Sequence, residues 1–170
     1  MRKGYFPYVA IVASMWLILA TSLAAGQGLR IVAPPDGTVV EPGQTLTVTV
    51  EPMPDRSLQF VDIIIPRLVI DLKESPPFVF TVTIPADARL GPHRLRAAAR
   101  DDKDRLVEAF ITINVETTTP VTSIRVTGPP LFITTERELS VFGSFADGVT
   151  REITRSRETT YGSSDPQVAT

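Results

Sequence analysis

The sequence predicts an all-β chain: two-sheet sandwiches in tandem, carried behind an export leader. Three observations point there. From Leu29 onward apolar residues recur with period two, the spacing that puts alternate side chains on one face of a strand, and no 3.6-residue stripe competes with it. Fifteen prolines and ten glycines break these runs into short segments, the rhythm of strands joined by turns. The 170 residues are 43% hydrophobic and 21% charged, an ordinary globular balance that suits one domain or two small ones.

The N-terminus reads as an address. Arg2 and Lys3 form a positive start, Tyr8 to Ala20 an apolar run, and Thr21, Ser22, Ala24, Ala25 and Gly26 a small-residue tail. That is the layout of a signal peptide over 1–26, with cleavage after Ala24 or Gly26 fitting the small-x-small rule. An uncleaved anchor competes, because no charge lies between Lys3 and Arg30. In either case the remainder is exported, to the cell surface, the extracellular space or a periplasm. With no cysteine in the chain, disulfides, thiolate metal sites and a cysteine nucleophile are excluded, and packing alone must hold the fold. Beyond the leader, nineteen acidic side chains outnumber fifteen basic ones, which gives no drive toward nucleic acid or anionic membrane.

Strands follow in order over 29–116. Leu29 to Val32 is a first strand, stopped by Pro34-Pro35-Asp36-Gly37. After the turn Glu41-Pro42-Gly43-Gln44, Leu46, Val48 and Val50 take one face and Thr45, Thr47 and Thr49 the other. Gln59 to Ile65 places Val61, Ile63 and Ile65 opposite Asp62, and Leu68 to Ile70 continues as a short edge strand. Phe78, Phe80, Val82 and Ile84 form the buried side of the next. Gly91-Pro92 turns the chain into His93 to Arg100, with Leu95, Ala97 and Ala99 inward. A loop with Asp101, Asp102, Lys103 and Asp104 leads to a last strand whose inward set is Ala109, Ile111, Ile113 and Val115.

Seven or eight strands within about 88 residues is the count of an immunoglobulin-like sandwich. The pieces Pro34 to Gly37, Pro42-Gly43, Pro76-Pro77-Phe78, Ile84-Pro85 and Gly91 to Asp101 resemble bacterial immunoglobulin-like modules. Each piece is structural punctuation, so the resemblance implies a fold and not an activity.

Thr117-Thr118-Thr119-Pro120 is a short, semi-stiff joint at 117–120. Beyond it lie Val121 to Val126, Leu131-Phe132-Ile133, and Leu139 to Phe145 with Leu139, Val141 and Phe145 on one face. Asp147-Gly148 marks a hairpin and Arg151 to Thr154 the next strand. The series Val121-Thr-Ser-Ile124, Gly143 to Gly148, Arg151 to Thr154, and Tyr161 with Ser164-Asp165-Pro166-Gln167-Val168-Ala169 resembles the bacterial immunoglobulin-like domain, group 2. The resemblance implies a module of surface adhesins and secreted multidomain proteins. The family carries further strands after its Val-Ala-Thr, so 121–170 is expected to be an incomplete sandwich at the front of a longer protein, with a sheet edge and an apolar face uncovered.

Candidate chemistry is sparse. His93, the single imidazole, follows Gly91-Pro92 without any Gly-x-Ser-x-Gly turn and reads as a surface residue at a strand start. Asp101, Asp102 and Asp104 could offer oxygen to calcium, but Lys103 and Arg105 compete for them, and the loop reads as a solvated hairpin. Asp62, Asp71 and Glu74 are too scattered for paired acid–base work. No catalytic residue, cofactor or metal is expected.

The outward face of one sheet is the one candidate site. The third, sixth and seventh main strands are neighbours in this fold. Their outward residues are Phe60, Asp62 and Ile64, then Arg94, Arg96 and Arg100, then Glu108 and Phe110. Phe60, Ile64, Arg94, Arg96 and Phe110 form a candidate interaction face for a surface glycan or another protein. The competing reading is a ladder of Arg with Asp62 and Glu108, each pair worth about 0.2–1 kcal/mol. The expected function is a non-catalytic spacer or adhesion arm. Two alternatives are the accessory front of a secreted, glycan-degrading enzyme and a carbohydrate-binding module. The only tryptophan, Trp16, lies in the leader, which counts against the last.

Overall fold

A computed structural model of the chain describes residues 28–54, 56–128, 138–162 and 164. The leader, the run Leu131-Phe132-Ile133 and the end of the group-2 series from Asp165 lie outside the described residues. Every described element is a strand: β1 (Leu29–Ala33), β2 (Thr38–Val40), β3 (Thr45–Pro52), β4 (Leu58–Ile65), β5 (Val69–Lys73), β6 (Phe78–Thr83), β7 (Gly91–Asp101), β8 (Leu106–Val115), β9 (Val121–Thr127), β10 (Ser140–Phe145) and β11 (Thr150–Glu152). Among the described residues no helix is long and apolar enough to cross a membrane.

The first eight strands make two sheets, ordered β1-β3-β6 and β2-β8-β7-β4-β5. Their inner faces are those the alternation predicts. Val48, Val50, Phe78, Phe80 and Val82 are buried on the small sheet. Val61, Ile63, Ile65, Leu95, Ala97, Ala99, Ile113 and Val115 are buried on the large one. The threonines of β3 pair with those of β6 on the outside, Thr45 with Thr83 and Thr47 with Thr81. Two twisted sheets with apolar inner faces satisfy both by stacking, and this strand order is that of an immunoglobulin-like sandwich. Phe78 and Phe80 supply the bulk, with small Ala97 and Ala99 in the facing sheet.

Two elements differ from expectation. The segment after the first turn is a strand: β2 leaves its predecessor's sheet and pairs in parallel with β8, Thr38 beside Ile113 and Val40 beside Val115. The Gly37 amide donates to the Thr112 carbonyl at 2.7 Å and sets that crossing. The edge strand after Pro66 begins at Val69 and runs to Lys73, so Ile70 and Leu72 face outward beside Ile64 and Asp62.

A third sheet, β11-β10-β9, is clamped to one end of the sandwich. The Leu90 amide donates to the Glu152 carbonyl at 2.9 Å, and Arg151 Nε donates to the Ala86 carbonyl at 2.7 Å. Arg151 is buried, its guanidinium held by Asp147 at 2.7 Å and lying 5.0 Å from the centre of the Phe145 ring. Val141, Phe145 and Ile153 belong to the same buried apolar cluster as the sandwich core. Gly91 marks the tightest approach: at φ 108° a Cβ there would press on the Arg155 carbonyl, 2.8 Å from its carbon. Leu139, expected inward with Val141 and Phe145, is instead exposed. It precedes β10 and lies over Gly128, where no described layer faces it. Ile124 and Val126 on β9 are exposed too.

Candidate functional site

The outer face of the five-stranded sheet is set by register. One row reads Ile70, Ile64, Arg96, Phe110 across β5, β4, β7 and β8. The next reads Leu72, Asp62, Ala98, Glu108, and below it Phe60, Arg100 and Leu106 align. All five candidate residues, Phe60, Ile64, Arg94, Arg96 and Phe110, therefore lie on one surface. β5 adds what was missed, with Ile70 78% and Leu72 51% exposed. Their signal was the alternation continuing past Pro66, which ended one strand without ending the sheet.

The arginines of this face do different things. Arg96 donates through Nε to Glu108 at 2.7 Å and lies 3.4 Å from Asp62. It is the expected ladder, and its half-buried charge is neutralised from both sides. Arg100 is held by the Asp104 carbonyl at 2.8 Å. Arg94 has no carboxylate within 4 Å among the described residues and stacks 3.7 Å from the Phe110 ring centre. A cation over an aromatic face is held in place while its N–H edge stays free. The Arg94 corner carries a shallow groove of about 340 Å³, bounded by Pro92, Thr112 and Phe110. Asp36 on its rim already accepts the Thr112 amide at 2.6 Å. A second groove of about 290 Å³ lies at the opposite corner, formed by Gln59, Phe60, Leu72 and Glu74.

Two expectations about single residues are corrected. His93 is buried, not on the surface: it shares the inward parity of Leu95 and Ala97, and its Nε2 is 2.8 Å from the Arg89 carbonyl. Burial pulls its pKa below the ordinary 6.5, against that hydrogen bond. Asp101 is likewise fully buried, not a solvated loop residue. Its carboxylate accepts Arg56 at 2.6 Å, Arg105 Nε at 2.9 Å, and the amides of Lys103 and Arg105, each at 2.9 Å. The Arg105 side chain, joined by these amides, holds its carboxyl far below the usual range despite burial. Four donors on two oxygens make Asp101 the lock of the β7–β8 hairpin.

No protein-family model matches the sequence, and the comparison with curated proteins finds no match. Among solved structures it is similar to a fibronectin(III)-like module of Clostridium thermocellum CbhA at 19% identity, over 51% of this chain and 93% of that one, with a TM-score of 0.43. It is also similar to a superoxide reductase (neelaredoxin) from Ignicoccus hospitalis at 17% identity, over 54% and 82%, with a TM-score of 0.39. A third is SGBP-B of the Bacteroides ovatus mixed-linkage glucan utilization locus, solved with a mixed-linkage heptasaccharide, at 15% identity over 74% and 45%, with a TM-score of 0.34. No residue's role is carried over from any of them.

Proposed function

We propose that this chain is a non-catalytic, exported arm: an immunoglobulin-like sandwich over 29–116 seated end-on against a second unit over 121–170 of the group-2 bacterial kind. The joint carries this reading. A flexible tether would leave the ends of both units solvated, whereas here Arg151, Leu90 and Gly91 interlock and the apolar clusters merge. A buried, charge-assisted bond from Arg151 to the Ala86 carbonyl fixes direction as well as distance, which is what an arm that holds something away from a surface requires.

Spin labels report this directly, because the chain has no cysteine to remove. Labels at Thr81→Cys on the sandwich and Ser123→Cys on the third sheet, both exposed positions, should give one narrow distance distribution by pulsed electron resonance. A broad distribution in the otherwise unaltered chain would show two units on a loose tether and end the arm reading.

A further inference from the structure

We propose that the outer face of the five-stranded sheet takes a second copy of this chain across a two-fold axis, Arg94 of each copy meeting Glu74 of the other. The argument starts from charge. On this face Arg96, Asp62 and Glu108 neutralise one another, and Arg100 is satisfied by Asp104. Arg94 and Glu74 are each exposed and have no ionic partner among the described residues. Arg94 is on β7, the middle strand of the five, and Glu74 directly follows β5 at the sheet edge. Arg94 lies one row before Arg96, and Glu74 one row beyond Leu72 and two strands away. With strands about 4.8 Å apart and alternate residues about 6.8 Å apart, the separation is roughly 22 Å.

A face with an unpaired cation at one end and an unpaired anion at the other is self-complementary, and Asp36, which shares the Arg94 groove, spends one carboxylate oxygen on the Thr112 amide. An axis lying in the interface and perpendicular to that diagonal superposes Arg94 on the partner's Glu74 and forms the pair twice, which is the condition for a closed isologous contact. Each corner also has a groove, one walled by Phe110 and the other by Phe60 and Leu72. The same axis lays each groove over the other. Between them run Ile64 and Ile70, with Ile70 the most exposed large apolar side chain of the face.

Side-chain chemistry favours a protein occupant over a sugar. Aliphatic Ile and Leu supply the exposed apolar surface here, and the ring of Phe110 is covered by Arg94. The face measures roughly 20 by 25 Å at sheet spacing, about 500 Å² per copy. That is the small end for specific interfaces, so the association is weak and appears where copies are crowded, as along a cell surface.

The test uses the full chain and its lack of cysteine. Arg94→Cys and Glu74→Cys chains are made separately and together, then oxidised. The mixture retains one intact Arg94–Glu74 pair and apposes the two thiols, so it should yield a disulfide-linked dimer several-fold more readily than either chain alone. Charge reversal gives the second measurement. Arg94→Glu should abolish concentration-dependent self-association, and adding Glu74→Arg to the same chain should restore it. Cross-linking no greater in the mixture than in the single variants overturns the proposal. So does a failure of the double reversal to restore association. A chain that stays monomeric at all concentrations overturns it as well, and leaves the face to an unrelated protein.

Discussion

Replacing Gly91 by alanine tests the seating of the third sheet on the sandwich. At φ 108° any side chain is strained, a cost of about 1–3 kcal/mol. The added Cβ also meets the Arg155 carbonyl, which is backbone and cannot rotate aside. Overpacking of that kind costs about 1–3 kcal/mol more. Together these come to about 4 kcal/mol, or a fall in Tm of about 12 °C at roughly 3 °C per kcal/mol for a chain of this size. Gly37 is the control. Its φ of 81° carries similar strain, but nothing lies within 4 Å of its Cβ position, so Gly37→Ala should show only the first part, a fall of about 6 °C. Amide exchange at Leu90 reads the joint itself, since that N–H is bonded to the Glu152 carbonyl and should lose protection in Gly91→Ala alone. Equal falls in Tm for the two variants, with Leu90 still protected in both, would refute the contact.

Two further outcomes concern pH. Asp101→Asn should destabilise the chain at neutral pH by removing the charge shared with Arg56 and Arg105. Because the folded carboxyl is held below its unfolded value of about 3.9, its contribution is complete above that pH and lost as pH falls below it. The gap between wild type and variant in denaturant midpoint should therefore close on acidification; a constant gap would contradict the lock. His93 is the only histidine, so its ring proton resonance can be followed alone. Burial favours the neutral ring, so the midpoint should fall below about 6.5, with stability full above that value and declining beneath it. A midpoint at or above 6.5 would place the ring in solvent.

Much of this was legible in the residues because period two is a strong code. Leu46, Val48 and Val50 against their threonines, and Phe78, Phe80 and Val82 against theirs, specify which side of each strand is dry without reference to any partner. The same parity set the outward row of Phe60, Ile64, Arg94, Arg96 and Phe110. It also held the correct answer for His93 and Asp101, which continue the inward series of Leu95, Ala97 and Ala99. Polar character and nearness to a turn argue for solvent at both positions, yet burial of a polar group is decided by whether donors and acceptors arrive to satisfy it. For Asp101 those donors come partly from Arg56, forty-five positions away.

The sequence by itself determined the all-β class and most of the strands and inner faces of 29–116, because alternation and turn chemistry act over a few residues; β2 and the outward turn of Leu139 escaped it. Only the tertiary structure decided which strands are neighbours. It turned Thr38–Val40 into a parallel partner of β8, set β5 beside β4 so that Ile70 and Leu72 extend the outer face, and left Arg94 and Glu74 without ionic partners among the described residues while Arg96 found two carboxylates. It also brought Arg151 to the Ala86 carbonyl and the Arg155 backbone onto Gly91. These are contacts between segments far apart in the chain, and no local pattern encodes them, because what selects them is the joint burial of faces that each strand can only offer.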